Sequence, residues 1–455
     1  MGEPVIVVGA GPGGLAAAWR LRRAGHPVRI LEADHKVGGR MQSIRRDGYI
    51  VDRAASIIPD VYSNILDIVA EAGLADELVP GGSIIGFAKP DGIHYLDSAR
   101  LYLEAPFSQV LSWRSKLMML RMFLDNRRFE PLMSYEDLSI AAHLDTESAT
   151  EYADRRVTPE IRDYVIDAAI RAILGTRAKD VSVLEFFFSF NKVFGSKLMN
   201  FRGGMGSYPE LLAGKFDDVV LNARVVSVEE SPAEVTVTWV DGSGAEHVER
   251  AAGCVCALPG DRSAAVVAGL DPWRRQFLGD VDYTPTVSIN AGLAAPPDIP
   301  GFVVQVPYDV QDELMCVVME HHKAPGRVPP GKGGLTTYTM AEAAADLMHD
   351  DDDTAAGKVL GWTENVIGKL PDVDWVQVNR WQQVVVRSYP GYYKQVGEFM
   401  KIRRERDRRV QIAGDFYSSS NANTATASGE AAARDLLAAL GPSTAAGAPA
   451  VAGAR

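Results

Sequence analysis

Three glycines and one acid near the N-terminus have the types and spacing to hold a dinucleotide. Gly9, Gly11 and Gly14 satisfy GxGxxG, and Glu32 stands 18 residues beyond Gly14. In such a motif the first glycine allows a tight turn. The second lets a pyrophosphate approach the backbone, and the third lets a helix pack closely on a strand. A carboxylate at the distance of Glu32 bonds a ribose 2′-hydroxyl and repels a 2′-phosphate. The glycines by themselves leave open which dinucleotide is held.

These residues need a strand, a turn, a helix and a second strand to position them. Val5-Ile6-Val7-Val8 is a β-branched run, as in a buried parallel strand. Leu15 to Leu21 reads as helix, and Ala24-Gly25 supplies the stop. Val28-Arg29-Ile30-Leu31 is a second strand ending at Glu32. The helix start offers unpaired N–H groups and the positive end of a dipole to phosphates. All parts occur in order, which is the context that gives the glycine motif its meaning.

Composition narrows the class. The 455 residues are 47% hydrophobic and 23% charged, enough for about two to three domains with real cores. A net charge of −12 gives no global electrostatic footprint for nucleic acid. Cys254, Cys256 and Cys316 form no CxxC and no disulfide framework, so a reducing, cytoplasmic setting is expected. No apolar run of about 18 residues appears, and the N-terminus lacks a basic leader. Cys254 and Cys256 are expected in the core. His349 and the four aspartates after it read as a solvated loop or helix start. His321 and His322, if on a strand, face opposite ways, so no metal site is expected. A second strand–GxGxxG–helix unit is absent, which disfavours enzymes with a separate NADPH domain.

Glu32-Ala33-Asp34-His35-Lys36-Val37-Gly38-Gly39-Arg40 resembles the extended FAD fingerprint of the flavin amine oxidase superfamily. That group includes monoamine oxidases, protoporphyrinogen oxidases and phytoene desaturases. Gly38-Gly39 would fold the chain back over the pyrophosphate, and Arg40 would bring it a forked positive charge. At the other end, Ala413-Gly414-Asp415 followed by Asn421 to Glu430 is similar to the superfamily's C-terminal flavin motif. It implies Gly414 and Asp415 at the pyrophosphate and ribityl chain. A helix starting near Asn423 would aim N–H groups at the pyrimidine edge of the ring. Asn421 or Asn423 also fits a plain N-cap. Asp52-Arg53-Ala54-Ala55 resembles the family's segment near the ring, with Ala54 where a glycine is usual. Phe201 to Gly206 resembles its "GGM" turn, and Val225 matches the residue that contacts adenine. Cofactor contacts are thus implied at Gly9, Gly11, Pro12, Gly13, Gly14, Glu32, Ala33, Gly39, Arg40, Ala55, Ser56, Val225, Gly414, Asp415, Asn423, Thr424 and Ala425.

The resemblance implies an α/β fold: a Rossmann-type FAD-binding domain with a parallel sheet, discontinuous in sequence, plus an α+β substrate-binding domain with a helical insert. The FAD domain is expected at 1–85, 202–285 and 400–440, and the substrate domain at 86–201 and 286–399. Residues 441–455 read as a flexible tail. The first insert is expected to be mostly helical. The second is expected to mix strands with a helix through Thr354–Leu370.

The expected function is FAD-dependent dehydrogenation of a largely apolar small molecule, with hydride passing to flavin N5. Oxygen or a quinone-like acceptor would reoxidise it. The flavin should be noncovalent, because residues 381–425 contain no cysteine. Amine oxidases commonly carry a lysine near N5, and Val281 to Leu293 has none. Val378 to Tyr392 instead resembles a stretch of protoporphyrinogen oxidases and carotenoid desaturases. An amine or amino-acid oxidase, and a flavoprotein with a non-redox isomerase role, remain as alternatives. Trp381, Tyr389 and Tyr392 are the expected substrate walls, on one face if the strand runs unbroken. No catalytic base is assigned, and the sequence carries no mark of oligomeric state. A helix around Ser112–Arg128 combines Trp113, Leu117, Met118, Leu120, Met122 and Phe123 with five basic residues. It reads first as a core-facing helix with a solvated basic side, and alternatively as a peripheral membrane contact.

Overall fold

The computed structural model describes residues 3–441. The tail expected at 441–455 therefore lies, beyond Gly441, outside the described residues. A five-stranded sheet draws its members from three separated stretches of chain. Its order is Val219–Val220, Val28–Leu31, Val5–Val8, Gly253–Cys256 and Val410–Ile412, all parallel. Val5–Val8 is buried at every position, as expected for a strand covered on both faces. Cys254 and Cys256 lie buried on its neighbour.

Two helices pack together on this sheet. Pro12–Arg23 starts directly after the glycine turn, with proline at its first position. Ala422–Leu440 lies against it so closely that a Cβ on Gly429 would fall 1.9 Å from the Gly13 carbonyl oxygen. The alanines of both helices let the backbones approach.

A seven-stranded mixed sheet forms the second body. Its order is Val373–Val386, Tyr283–Leu293, Gly333–Thr339, Leu314–Met319, Val303–Gln305, Ile84–Lys89 and Gly92–Asp97. The hairpin Ile84–Lys89 and Gly92–Asp97 pairs onto Val303–Gln305. A mostly helical reading of the first insert missed it, because the boundary drawn at 85 and 86 cut its first strand in two. The rest of that insert is helical: Trp113–Phe129, Ala149–Arg156, Ala168–Leu174 and Val183–Lys192. The helix through 354–370 is Asp352–Ile367, and Asp351 caps it by accepting from Thr354 N–H at 2.9 Å.

Two local expectations differ from the structure. His321 and His322 lie in the one-turn helix Glu320–Lys323, with ring centroids 4.4 Å apart, and not on a strand. The strand before them ends at Met319, where Glu320 turns inward to bond Thr336. The strand carrying Trp381 ends at Val386, three residues short of Tyr389. Register arguments from Trp381 therefore do not reach Tyr389. No cluster of histidines, cysteines and acids able to hold a metal occurs among the described residues. No described helix is long and apolar enough to cross a membrane.

Candidate functional site

The glycine turn has two kinds of position. Gly9 has φ +96°, and a Cβ there would lie 2.7 Å from the Ala257 carbonyl oxygen. A Cβ on Gly14 would lie 1.9 Å from the Gly9 oxygen, and one on Gly13 would lie 2.7 Å from that of Ala425. These three are required by the fold itself. Gly11 is different, since a Cβ there meets nothing within 4 Å. Its open side is the space a pyrophosphate needs. Gly38 N–H donates to the Ala10 carbonyl at 2.9 Å, and a Cβ on Gly39 would sit 3.6 Å from Gly11 Cα. The Gly-Gly turn thus closes over the loop. Both glycines have positive φ, which a side chain would strain.

Glu32 ends the second strand. Its Oε2 accepts from Ala10 N–H at 2.7 Å and its Oε1 from Asp34 N–H at 2.9 Å. Burial lifts its carboxyl above the ordinary range, and the backbone N–H bonds oppose that rise. An ionised carboxylate has about four acceptor sites, so capacity for a ribose remains. Ala33 follows it, and Ala223 N–H donates to the Glu32 carbonyl at 2.8 Å. That bond brings the start of the strand Arg224–Glu230, with Val225, beside the same end of the sheet.

Arg40 faces Asp415. The η nitrogens donate to its carboxylate at 2.7 and 3.0 Å, and Nη1 also reaches the Val384 carbonyl at 2.6 Å. The fork expected to meet a pyrophosphate is therefore directed at the C-terminal motif. Gly414 N–H donates to Ser428 Oγ at 2.9 Å, tying that motif to the last helix. The last helix is capped by Asn421, which accepts from Thr424 N–H at 2.9 Å. Asn423 is buried and occupied: its Oδ1 accepts from Ile65 N–H, and its Nδ2 donates to Asn64. Thr424 Oγ1 donates to the Ser419 carbonyl, and Ala425 backs Gly13. The side chains of Asn423 and Thr424 thus hold structure, and the N–H groups of Thr424 and Ala425 are taken by Asn421.

The segment 52–56 is held from outside at almost every carbonyl. Asn290 Nδ2 donates to Asp52 O at 3.1 Å. Ser288 Oγ and Trp381 Nε1 donate to Arg53 O at 2.8 and 3.2 Å. Tyr338 hydroxyl donates to Ala54 O at 3.1 Å, and Asn200 Nδ2 to Ser56 O at 2.9 Å. Ala55 N–H is bonded to Arg40 O at 3.3 Å. Beneath lies a buried ionic group. Lys323 Nζ sits 2.6 Å from Asp52 and 3.4 Å from Glu320, and Arg327 lies 3.4 Å from Asp52. Burial resists ionisation of Asp52, but the charges of Lys323 and Arg327 outweigh it and hold its carboxyl below the usual range.

Sequence reasoning missed Ser288, Asn290, Tyr338, Asn379 and Lys323. A signal existed for the first two and for Asn379. Ser288 and Asn290 interrupt the apolar residues of their strand and stand two apart, and Asn379 stands two from Trp381. Of the three expected substrate walls, Trp381 stands at the ring segment, with Arg53 over its face at 4.9 Å. Tyr392 is buried, and its hydroxyl donates to the Phe416 carbonyl at 2.9 Å. Tyr389 is 40% exposed and accepts from Gln395 at 2.6 Å.

Two observations test whether FAD fits. Gly11 is open where its pyrophosphate would lie. Ser56 Oγ is buried without a hydrogen-bond partner among the described residues, at the expected ring end. An unpaired buried hydroxyl is costly unless something else satisfies it. The residues fit. The model of the flavin containing amine oxidoreductase family matches residues 12–437, nearly the whole chain. The chain belongs to that family. It is a flavin-dependent oxidase or dehydrogenase.

The relatives span several activities. Protoporphyrinogen oxidase 2, chloroplastic/mitochondrial, of Arabidopsis thaliana is 25% identical over 479 residues, covering 92% of this chain and 90% of its own. Cyclohexylamine oxidase from Brevibacterium oxydans superposes with a TM-score of 0.74 at 16% identity, covering 95% of this chain and 98% of its own. A fatty acid isomerase from P. acnes gives 0.71 at 17% identity, covering 96% and 98%. The two structural likenesses speak to the fold alone.

Proposed function

We propose that this flavoprotein holds FAD noncovalently and dehydrogenates a largely apolar small molecule. Bound FAD would supply a hydride acceptor at the ring segment 53–56. The chain's own part is to fix that segment, orient the substrate and exclude water. The carrying observation is the polar economy of the sheet facing it. Tyr283–Leu293 contributes no lysine, and its Asn290 is engaged by Asp52, Thr336 and Asn379. The buried Lys323 is bound by Asp52 and Glu320. Neither Asn290 nor Lys323 is thus free to act on an amine, which favours the protoporphyrinogen oxidase and desaturase branch over amine oxidation. The similarity to the Arabidopsis protein supports the same branch. The cysteines support noncovalent binding: all three are buried in strands, and none follows Cys316.

The deciding experiment is anaerobic flavin bleaching across porphyrinogens, polyenes and amines. Bleaching by a porphyrinogen or polyene is expected. Bleaching by amines alone, with imine or ammonia released, would overturn the reading. Acid precipitation should release the flavin into the supernatant, and flavin retained in the pellet would refute noncovalent binding.

A further inference from the structure

The helix Trp113–Phe129 has an unusual arrangement of faces. At 3.6 residues per turn, Trp113, Leu117, Leu120 and Leu124 fall within about 60° of one another. Ser115, Met122 and Phe129 form its buried row, and they lie on the opposite side. The apolar stripe therefore points directly away from the protein. Trp113, Leu117, Leu120 and Leu124 are 67%, 65%, 59% and 60% exposed. The Met-rich surface expected from sequence is not part of it, since Met122 is fully buried and Met118 packs inward. Those positions satisfy the core, so the outward leucines are not needed for it.

Phe107, at 84% exposure, extends the stripe. Lys116 Nζ donates to the Pro106 and Ser108 carbonyls at 2.9 and 2.6 Å, which clamps the Phe107 turn to the helix. Lys116 also lies 4.9 Å over the Trp113 ring. Basic side chains border the stripe on both sides. Arg114, Arg121 and Arg128 follow one flank at seven-residue spacing, and Arg127 lies on the other. All four are exposed, and none takes part in an ion pair among the described residues. This is a local basic surface on a chain of net charge −12.

We propose that this helix docks on an anionic lipid surface. The stripe would enter the headgroup and acyl boundary while the flanking arginines meet lipid phosphates. The cavity at the C-terminal end of the helix is lined by charged groups, Asp125, Arg128, Glu147, Arg155 and Arg156 among them, which disfavours an apolar partner helix. A second copy of this chain is also disfavoured, because a two-fold contact along the stripe would set arginine rows of the two copies against each other.

The test uses the FAD-loaded full chain in vesicle flotation. Vesicles of equal parts phosphatidylcholine and phosphatidylglycerol should carry it up, and phosphatidylcholine alone should not. Arg114→Glu with Arg121→Glu should cut partitioning by roughly thirty-fold or more. Leu117→Asn with Leu120→Asn should cut it more than about tenfold. All four side chains are exposed, so FAD content and melting temperature should hold. Failure of the unaltered protein to float on anionic vesicles overturns the proposal. So does flotation that both double variants retain, or a solution dimer that the asparagine variant dissolves without any flotation.

Discussion

Arg40 and Asp415 join the two ends of the flavin motif through a two-bond ion pair, at 2.7 and 3.0 Å across 375 residues of sequence. The N-terminal fingerprint and the C-terminal motif are thus one mechanical unit. Ser420 donates to the same carboxylate, and Arg40 also grips Val384 at the end of the seven-stranded sheet. Removing either partner leaves a partly buried charge without its counter-ion.

Asp415→Ala is therefore expected to destabilise the fold by about 3–5 kcal/mol and to lower flavin retention more than tenfold, the range for one partner lost from a buried pair. Urea unfolding and FAD content after gel filtration would measure the two effects. Stability within experimental error of the unaltered protein would show that the pair contributes nothing.

The glycines separate fold from cofactor. Gly429→Ala places a methyl 1.9 Å from the Gly13 oxygen, so the two helices must part, at a cost of about 1–3 kcal/mol or more. Gly11→Ala meets nothing within 4 Å and has no positive φ. Its flavin-free form should melt like the unaltered flavin-free protein while binding FAD at least about tenfold more weakly. Scanning calorimetry of the two stripped proteins, with FAD titration, distinguishes them.

Much of this site was legible because its signals are local. Gly9 to Glu32 lies in one strand–turn–helix–strand run, although the backbone that Gly9 and Gly13 meet, at Ala257 and Ala425, lies far along the chain. The supports of segment 52–56 were not legible for the opposite reason. Ser288, Tyr338 and Trp381 come from three strands of another sheet, and nothing local ties them to Arg53 or Ala54. Lys323 was hidden because its short helix interrupts a strand pattern. Tyr392 was misleading because tyrosine in an aromatic stretch fits a pocket wall and a core anchor equally well. Only the Phe416 carbonyl, 24 residues on, separates the two.

Glu185 gives a pH prediction. It is buried, its Oε1 accepts from the Tyr393 hydroxyl, and its Oε2 has no partner among the described residues. Burial raises its carboxyl above the ordinary value of 4.5. A raised folded-state value means that the fold binds the proton more tightly than the unfolded chain. That stabilisation is complete below about pH 4.5 and is lost as pH rises through the raised value. Glu185→Gln keeps an acceptor for Tyr393 and cannot ionise. It should match the unaltered protein at pH 4 and exceed it in stability at pH 8, with the gap growing between them. The charge of Asp145, whose Oδ2 accepts from Tyr393 N–H at 2.8 Å, raises the Glu185 carboxyl further and so widens the same gap. Urea midpoints at the two pH values decide the matter, and a gap that shrinks with rising pH would refute the assignment.

The three aromatic residues should now respond differently from one another. Tyr392→Phe removes the donor that satisfies the Phe416 carbonyl, next to Asp415, and leaves that oxygen buried and unpaired. The expected cost is about 1–3 kcal/mol, with some loss of flavin. Tyr389→Phe touches only an exposed bond to Gln395, so its effect should stay within about 0.5 kcal/mol. Trp381→Phe keeps an aromatic ring under Arg53 but loses the bond from Nε1 to the Arg53 carbonyl. Ser288 still donates to that oxygen, so the fold should lose only about 0.5–1.5 kcal/mol. The ring segment would nevertheless be looser on the substrate side. Substrate-driven flavin reduction under anaerobic conditions should therefore slow in Trp381→Phe while FAD content stays close to full. Stopped-flow absorbance of the flavin band, beside FAD content and melting temperature, reads both properties on one preparation. Equal reduction rates in Trp381→Phe and the unaltered protein would show that Trp381 anchors the domain junction and does not orient the substrate.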